Sequence, residues 1–257
     1  MATTYTIKTM ALIDRALYDK FRALRKQMVS DGIGDLAKVF VPVGAAAPSR
    51  LNRKAPRVLF VGKGTNGWNE GRLDSFDGSK RQAEDILKDF CGLTNRSVFW
   101  QFSRAVLRQA LRSCNVEADD VDLASFSGWS NLVLIGNTGS YSPPKGPALD
   151  RQKGLCIEAL RAEIIRFRPT AVVLVSQAYA MHEIAHPVFG GHDSTWSFDT
   201  PQQDSVAWKF HPDLETTVVW TNHPQGMRPP GTRARVQALV ADLVARATQG
   251  QSLPRSA

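Results

Sequence analysis

The chain has 257 residues, 43% of them hydrophobic, and its 32 lysines and arginines outnumber 24 acidic residues to give a formal net charge of +8. That length and composition suit one large globular domain, and the charge favours a polyanionic partner such as nucleic acid. No apolar run approaches the roughly 18 residues of a membrane helix.

The opening MATTYTIKTM has no basic segment leading into an apolar run, so no secretory signal is expected. Cys91, Cys114 and Cys156 are widely spaced, which suits a reduced, cytoplasmic protein. Three thiols also cannot supply the four thiolates of an iron–sulfur cluster. No cofactor is called for, and a monomer is expected.

Leu12, Leu17, Phe21, Leu24 and Met28 recur at helical spacing and predict an amphipathic helix over 11–30. Arg15, Lys20, Arg22, Arg25 and Lys26 fall mostly on its other face, available to phosphates or to water. Pro42, Gly44, Pro48 and Pro56 make 41–56 a loop, so 1–50 reads as a helical extension. Val58–Val61 is an apolar, β-branched and aromatic run that fits a buried strand. Gly62, Lys63, Gly64, Thr65, Asn66 and Gly67 follow as a Gly-rich loop able to approach a ligand, with the flat face of Trp68 beside it.

Ser79 and Gln82 predict a capping box for a helix running to Phe90. Phe99, Phe102, Val106 and Leu107 give the apolar face of another helix over 97–112, with Trp100 in the core. Asn131–Gly136 is a second buried strand, followed by the stiff loop SYSPPKGP. Ile157, Leu160, Ile164 and Phe167 mark a helix over 149–167, closed by Pro169. Ala171–Val175 and Thr216–Trp220 are the third and fourth strands. Ser176 is a candidate cap for a short helix after the third. Residues 190–211 look irregular, with Trp196, Phe198, Trp208 and Phe210 forming a small hairpin or a packed loop. Thr232 caps a final helix carrying Val236, Leu239, Val240, Leu243 and Val244, and the tail from Gln249 frays. Alternating strands and helices predict a three-layer α/β/α sandwich around a short four-stranded parallel sheet, in a single domain over 1–257.

The ends of three of these strands bring Gly62–Trp68, Asn131–Asn137 and Asn222–Met227 to one sheet edge. In their order and spacing these segments resemble the uracil-DNA glycosylase superfamily over about Arg57–Leu243. The resemblance rests on the first strand with its Gly-initiated loop, Asn131-Leu-Val, the passage FRPTAVVLV over Phe167–Val175, and His223–Pro224. It implies a DNA partner, single- or double-stranded, and hydrolysis of the bond joining a flipped uracil or related damaged base to its sugar. It implies that His223 donates a hydrogen bond to the departing base and that Asn131 reads the pyrimidine edge. Gly62 and Gly64 would lie against the base and Trp68 would stack on it. Met227 or Arg228 would fill the vacated stack as a wedge. Apart from the resemblance, Asn131 also suits a turn cap or a partner for backbone groups, His223 a structural imidazole and Trp68 a core or lid position.

The first loop departs from the family's Gly-x-Asp-Pro, Gly-x-Asn-Pro or Gly-x-Ala-Pro. Gly62, Lys63, Gly64 and Thr65 stand there, leaving Asn66 as the substitute for the water-orienting group. Gln225 replaces the Ser that usually follows His-Pro. A catalytically silent binder of nucleic acid or nucleotide on the same fold is therefore the alternative function. A third reading comes from His182-Glu183-Ile184-Ala185-His186, a literal H-E-x-x-H, with His192 beyond it as a further zinc ligand of a metallopeptidase. Pro187 and Phe189 fit that motif's usual continuation poorly.

Overall fold

A computed structural model describes residues 8–46, 55–66, 75–89, 97–117, 123–138, 143–176, 179–190, 196–198, 206–227 and 231–253. Among them, nine strands form one mixed sheet. They are β1 (Thr9–Ala11), β2 (Leu36–Val39), β3 (Val43–Ala45), β4 (Val58–Asn66), β5 (Ser127–Asn137), β6 (Ala171–Val175), β7 (Ser197–Phe198), β8 (Ala207–His211) and β9 (Thr216–Thr221). The helices are α1 (Arg15–Ser30), α2 (Phe76–Asp89), α3 (Val98–Ser113), α4 (Pro147–Phe167), α5 (His186–Phe189) and α6 (Thr232–Gln249).

The four predicted strands form the centre of the sheet, in the order β5-β4-β6-β9 and all parallel. Both faces are covered, so each strand is a nearly continuous apolar run. From β4 the chain crosses to β5 on one side and later returns to β6 on the other. This reversal puts a topological switch point at the carboxyl end of β4, where open α/β sheets bind ligands. α3 packs against α6 and β4, while α4 packs against α1 and β5.

The sheet is wider than the four strands expected. The segment expected as a helical extension supplies β1, β2 and β3 as well as α1. β3 pairs antiparallel with the start of β5 and β2 with its end, so 41–56 is not wholly a loop. On the far side, β7 and β8 pair antiparallel, which fits the hairpin of the two alternatives for this stretch, and β8 joins β9 antiparallel.

Two predicted caps are replaced. Ser79 lies inside α2, where its Oγ accepts from Val41 N (2.9 Å) and donates to Val39 O (3.0 Å), tying the helix to the turn between β2 and β3. Ser75 instead accepts the Gly78 N–H near the helix start. Thr232 is the first residue of α6, after Gly231 at φ 91°, a left-handed conformation that glycine adopts without strain. Ser176 caps no helix either: its Oγ lies 3.9 Å from Met181 Sδ, and the turn that follows begins at Ala180.

Three of the five cations on the basic face of α1 have partners within the fold. Arg15 pairs with Asp77 (2.9 Å), Lys20 pairs with Glu158 (2.8 Å), and Arg25 Nε donates to Ala37 O (2.7 Å). No helix among the described residues is long and apolar enough to cross a membrane.

Candidate functional site

The segment Gly62–Asn66, expected as a loop, continues β4. It stays in register with β5, Gly62 opposite Asn131 and Gly64 opposite Val133, before an irregularity leads to Asn66 opposite Asn137. The neighbouring strand explains both glycines. A Cβ on Gly62 would lie 2.6 Å from Asn131 Oδ1, and one on Gly64 would lie 2.6 Å from Val133 Cγ2. Any larger residue would collide with these side chains, so glycine here makes room for an amide and a valine.

Asn131 is a mid-strand residue, 6% exposed, which excludes the turn-cap alternative. Its Nδ2 has no hydrogen-bond partner among the described residues. Leaving a buried donor unsatisfied costs about 1–3 kcal/mol, so this amide is an expensive feature for packing alone. Phe99 of α3 lies beside it, with Cε2 3.7 Å from the Gly62 Cβ position. The Phe99 ring is half-buried and meets Trp100 edge-on at 5.0 Å; Trp100, in the core as expected, meets Trp129 at 4.9 Å. The helical stripe containing Phe99 was legible, but periodicity could not show which of its members reaches a strand end.

The preceding residue, Ser130, points to the opposite face. There it hydrogen-bonds the carboxyl group of Glu163, a fully buried residue of α4. Burial pushes the Glu163 pKa up to about 8, with the Ser130 hydrogen bond opposing the rise. The Cys156 thiol, also buried, is pushed up to about 12, mainly by burial. This face of β5 therefore holds neutral groups near physiological pH.

His223 follows the end of β9. Val61 is opposite Leu174, and Val175 is opposite Thr221, so Asn131, Gly62, Val175 and Thr221 reach the same level of the parallel sheet. Three strand spacings separate β5 from β9, about 14 Å at the backbone. Burial, and secondarily the charge of Lys63, lower the His223 pKa to about 4. Its Nδ1 accepts the Gln225 N–H at 3.4 Å, which leaves the proton of the neutral ring on Nε2. Arg233 of α6 donates to Pro224 O at 3.2 Å and steadies the turn.

The remaining candidates separate. Met227 is 7% exposed and joins the hydrophobic core, so it is not presented as a wedge. Trp68, Arg228 and His192 lie outside the described residues, as does the side chain of Asn66. The H-E-x-x-H segment forms a π-helical turn over Met181–Ala185 leading into α5, rather than one regular α-helix. The rings of His182 and His186 meet edge-to-face at 4.6 Å. Among the described residues no group of three or more His, Cys, Asp or Glu side chains is placed to hold a metal ion.

In comparisons with known proteins, no family model matches the chain and no curated protein matches it significantly.

Proposed function

We propose that this protein binds an extruded pyrimidine of DNA at the carboxyl ends of β4, β5 and β9 and hydrolyses the bond between that base and its sugar. The observation that carries this reading is the buried Asn131 amide, whose Nδ2 has no partner among the described residues. An amide donates and accepts at once, which is what a uracil edge requires of its reader. Gly62 lets the ligand and the amide approach the backbone closely, and Phe99 offers an aromatic surface next to them.

The neutral His223 ring supports the chemical step. As the base leaves, negative charge develops on its oxygen, and in this reading the Nε2–H of His223 is the donor that stabilises it. Gln225, in place of the family's Ser, helps set that tautomer through its backbone N–H.

A second reading, a binder without hydrolysis, is favoured by Gly64. This position carries the water-orienting residue in the family that the sequence resembles, and here Val133 occupies the space of its Cβ. Binding needs Asn131; hydrolysis also needs a water-positioning group, the role expected of Asn66.

Single-turnover base release from uracil-containing oligonucleotides, measured together with binding, tests both readings. Release by the wild-type protein that is lost in His223→Ala supports hydrolysis. Binding that depends on Asn131 without any release supports the silent binder. Failure to prefer uracil-containing over undamaged oligonucleotides contradicts both.

A further inference from the structure

We propose that Pro143 and Pro144 form an apolar wall of the base site, with Tyr179 as the positioning residue that holds it. The wall admits a pyrimidine with a bare C5–C6 edge and rejects one with a hydroxyl at C5. This rests on the base-binding reading and narrows its ligand to deaminated rather than oxidised pyrimidines.

The placement follows from the strand. Gly62 and Gly64, two residues apart on β4, share one face of the sheet with Asn131 and Val133. At Gly62 the Cβ position meets Asn131 and Phe99, as described above. At Gly64, about 7 Å further along the strand, it meets Val133 and the two prolines. Pro143 Cβ lies 3.5 Å from that position and Pro144 Cδ 3.9 Å. The loop before α4 therefore folds back over the carboxyl end of β4, on the same side of the sheet as the Asn131 amide. Pro144 is buried, but Gly64, Pro143 and Phe99 are half-buried, so part of this surface is open to a ligand.

The chemistry of the wall is set by what it lacks. Neither proline has a backbone N–H to donate. The Pro144 carbonyl is already taken: Tyr179 Oη donates to it at 2.6 Å, which also fixes the loop in place. Burial raises the Tyr179 pKa, so the phenol stays protonated and donating. In a uracil ring O2, N3–H and O4 all need partners, and N1 carries the sugar. Only the C5–C6 edge can lie against carbon without losing a hydrogen bond. With the N3–O4 edge on Asn131, C5 is the next ring atom, beside the wall one residue pair further along the strand. A hydroxyl on C5 would lose its water there and find no N–H from either proline and no free Pro144 carbonyl.

The test compares binding of one oligonucleotide carrying uracil, 5-fluorouracil, 5-hydroxyuracil or cytosine at a single position, read before any base release. Fluorine and hydroxyl are close in size, so the ratio of their affinities reports polarity rather than bulk. The expected result is a preference of about tenfold or more for 5-fluorouracil over 5-hydroxyuracil. Tyr179→Phe frees the Pro144 carbonyl to accept from the 5-hydroxyl, and Pro144→Ala adds an N–H, so each should bring the ratio toward unity. A role in folding alone would weaken all the ligands together and leave the ratio as it is. Thermal melting checks that the variants are folded; if Pro144→Ala is not, Tyr179→Phe, which keeps the ring, decides. A wild-type ratio near unity, a ratio untouched by the substitutions, or loss of binding with both 5-substituents overturns the wall. The base reading then stands as long as the preference for uracil over cytosine depends on Asn131. Absence of that preference, or its survival in Asn131→Ala, overturns the base reading itself.

Discussion

The two ends of β4 use the same device for opposite purposes. At its amino end Gly44 and Gly128 make room for the Phe167 ring; a Cβ on either would lie 2.7 Å or 3.2 Å from it. Arg57 closes this end, stacking over Phe167 at 4.0 Å and donating from Nε to Phe167 O (2.6 Å) and from Nη2 to Ala45 O (2.9 Å). Its Nη1 lacks a partner, but the rest of the guanidinium is engaged and burial lowers its pKa to about 10. At the carboxyl end Gly62 and Gly64 make room for Asn131 and Val133, yet the amide donor has no acceptor among the described residues. Glycine clears space at both ends; one end ties most of its guanidinium to backbone carbonyls, and the other leaves the Asn131 Nδ2 without an acceptor among the described residues.

That contrast can be broken at either end. Arg57→Ala leaves two carbonyls without their charged donor, and a loss of about 3 kcal/mol is expected in denaturant unfolding. Asn131→Ala should do the reverse, weakening ligand affinity by about a hundredfold while destabilising the fold less than Arg57→Ala does, because its Nδ2 donates to no acceptor among the described residues. If Asn131→Ala proves as destabilising as Arg57→Ala, the two ends do not differ as described. Gly64→Ala should cost about 1–3 kcal/mol through overpacking against Val133, and Val133→Ala in the same chain should recover much of it.

Glu163 sharpens the comparison through pH. Its folded-state pKa of about 8 lies above the ordinary 4.5, so the folded protein retains a proton that the unfolded chain releases. Its contribution to stability is full below pH 4.5 and declines as pH rises to about 8. Glu163→Gln should flatten that decline in urea melts across this range. The smallest effect is expected at His223. With its pKa lowered to about 4, the ring stays neutral across mildly acidic pH, so base binding should show no titration near the ordinary imidazole value of 6.5.

The four central strands were legible because each is a short apolar run bounded by glycine, proline or polar residues. β1, β2 and β3 were not: three or four residues show little periodicity, and Gly44 reads as a turn residue until Phe167 is seen against it. Gly62–Asn66 looked like a loop for the same reason, since the cause of its glycines lies on another strand. Asn131 and His223 were picked out through the resemblance, and the sheet brings their strand ends to a common edge. Glu163 falls between Leu160 and Phe167 on the buried side of α4, so an acid at a core position was the available signal. Pro143 and Pro144 were visible only as part of a stiff loop, because their approach to Gly64 depends on a course that local sequence does not fix.

The side-chain amide resonances of Asn131, followed by NMR while a uracil-containing oligonucleotide is added, test the central claim most directly. Asn131 can be assigned by comparison with Asn131→Ala. The expected result is a large shift of both amide protons and slowed solvent exchange as Nδ2 gains its partner. Resonances that stay unmoved while the oligonucleotide binds would contradict it.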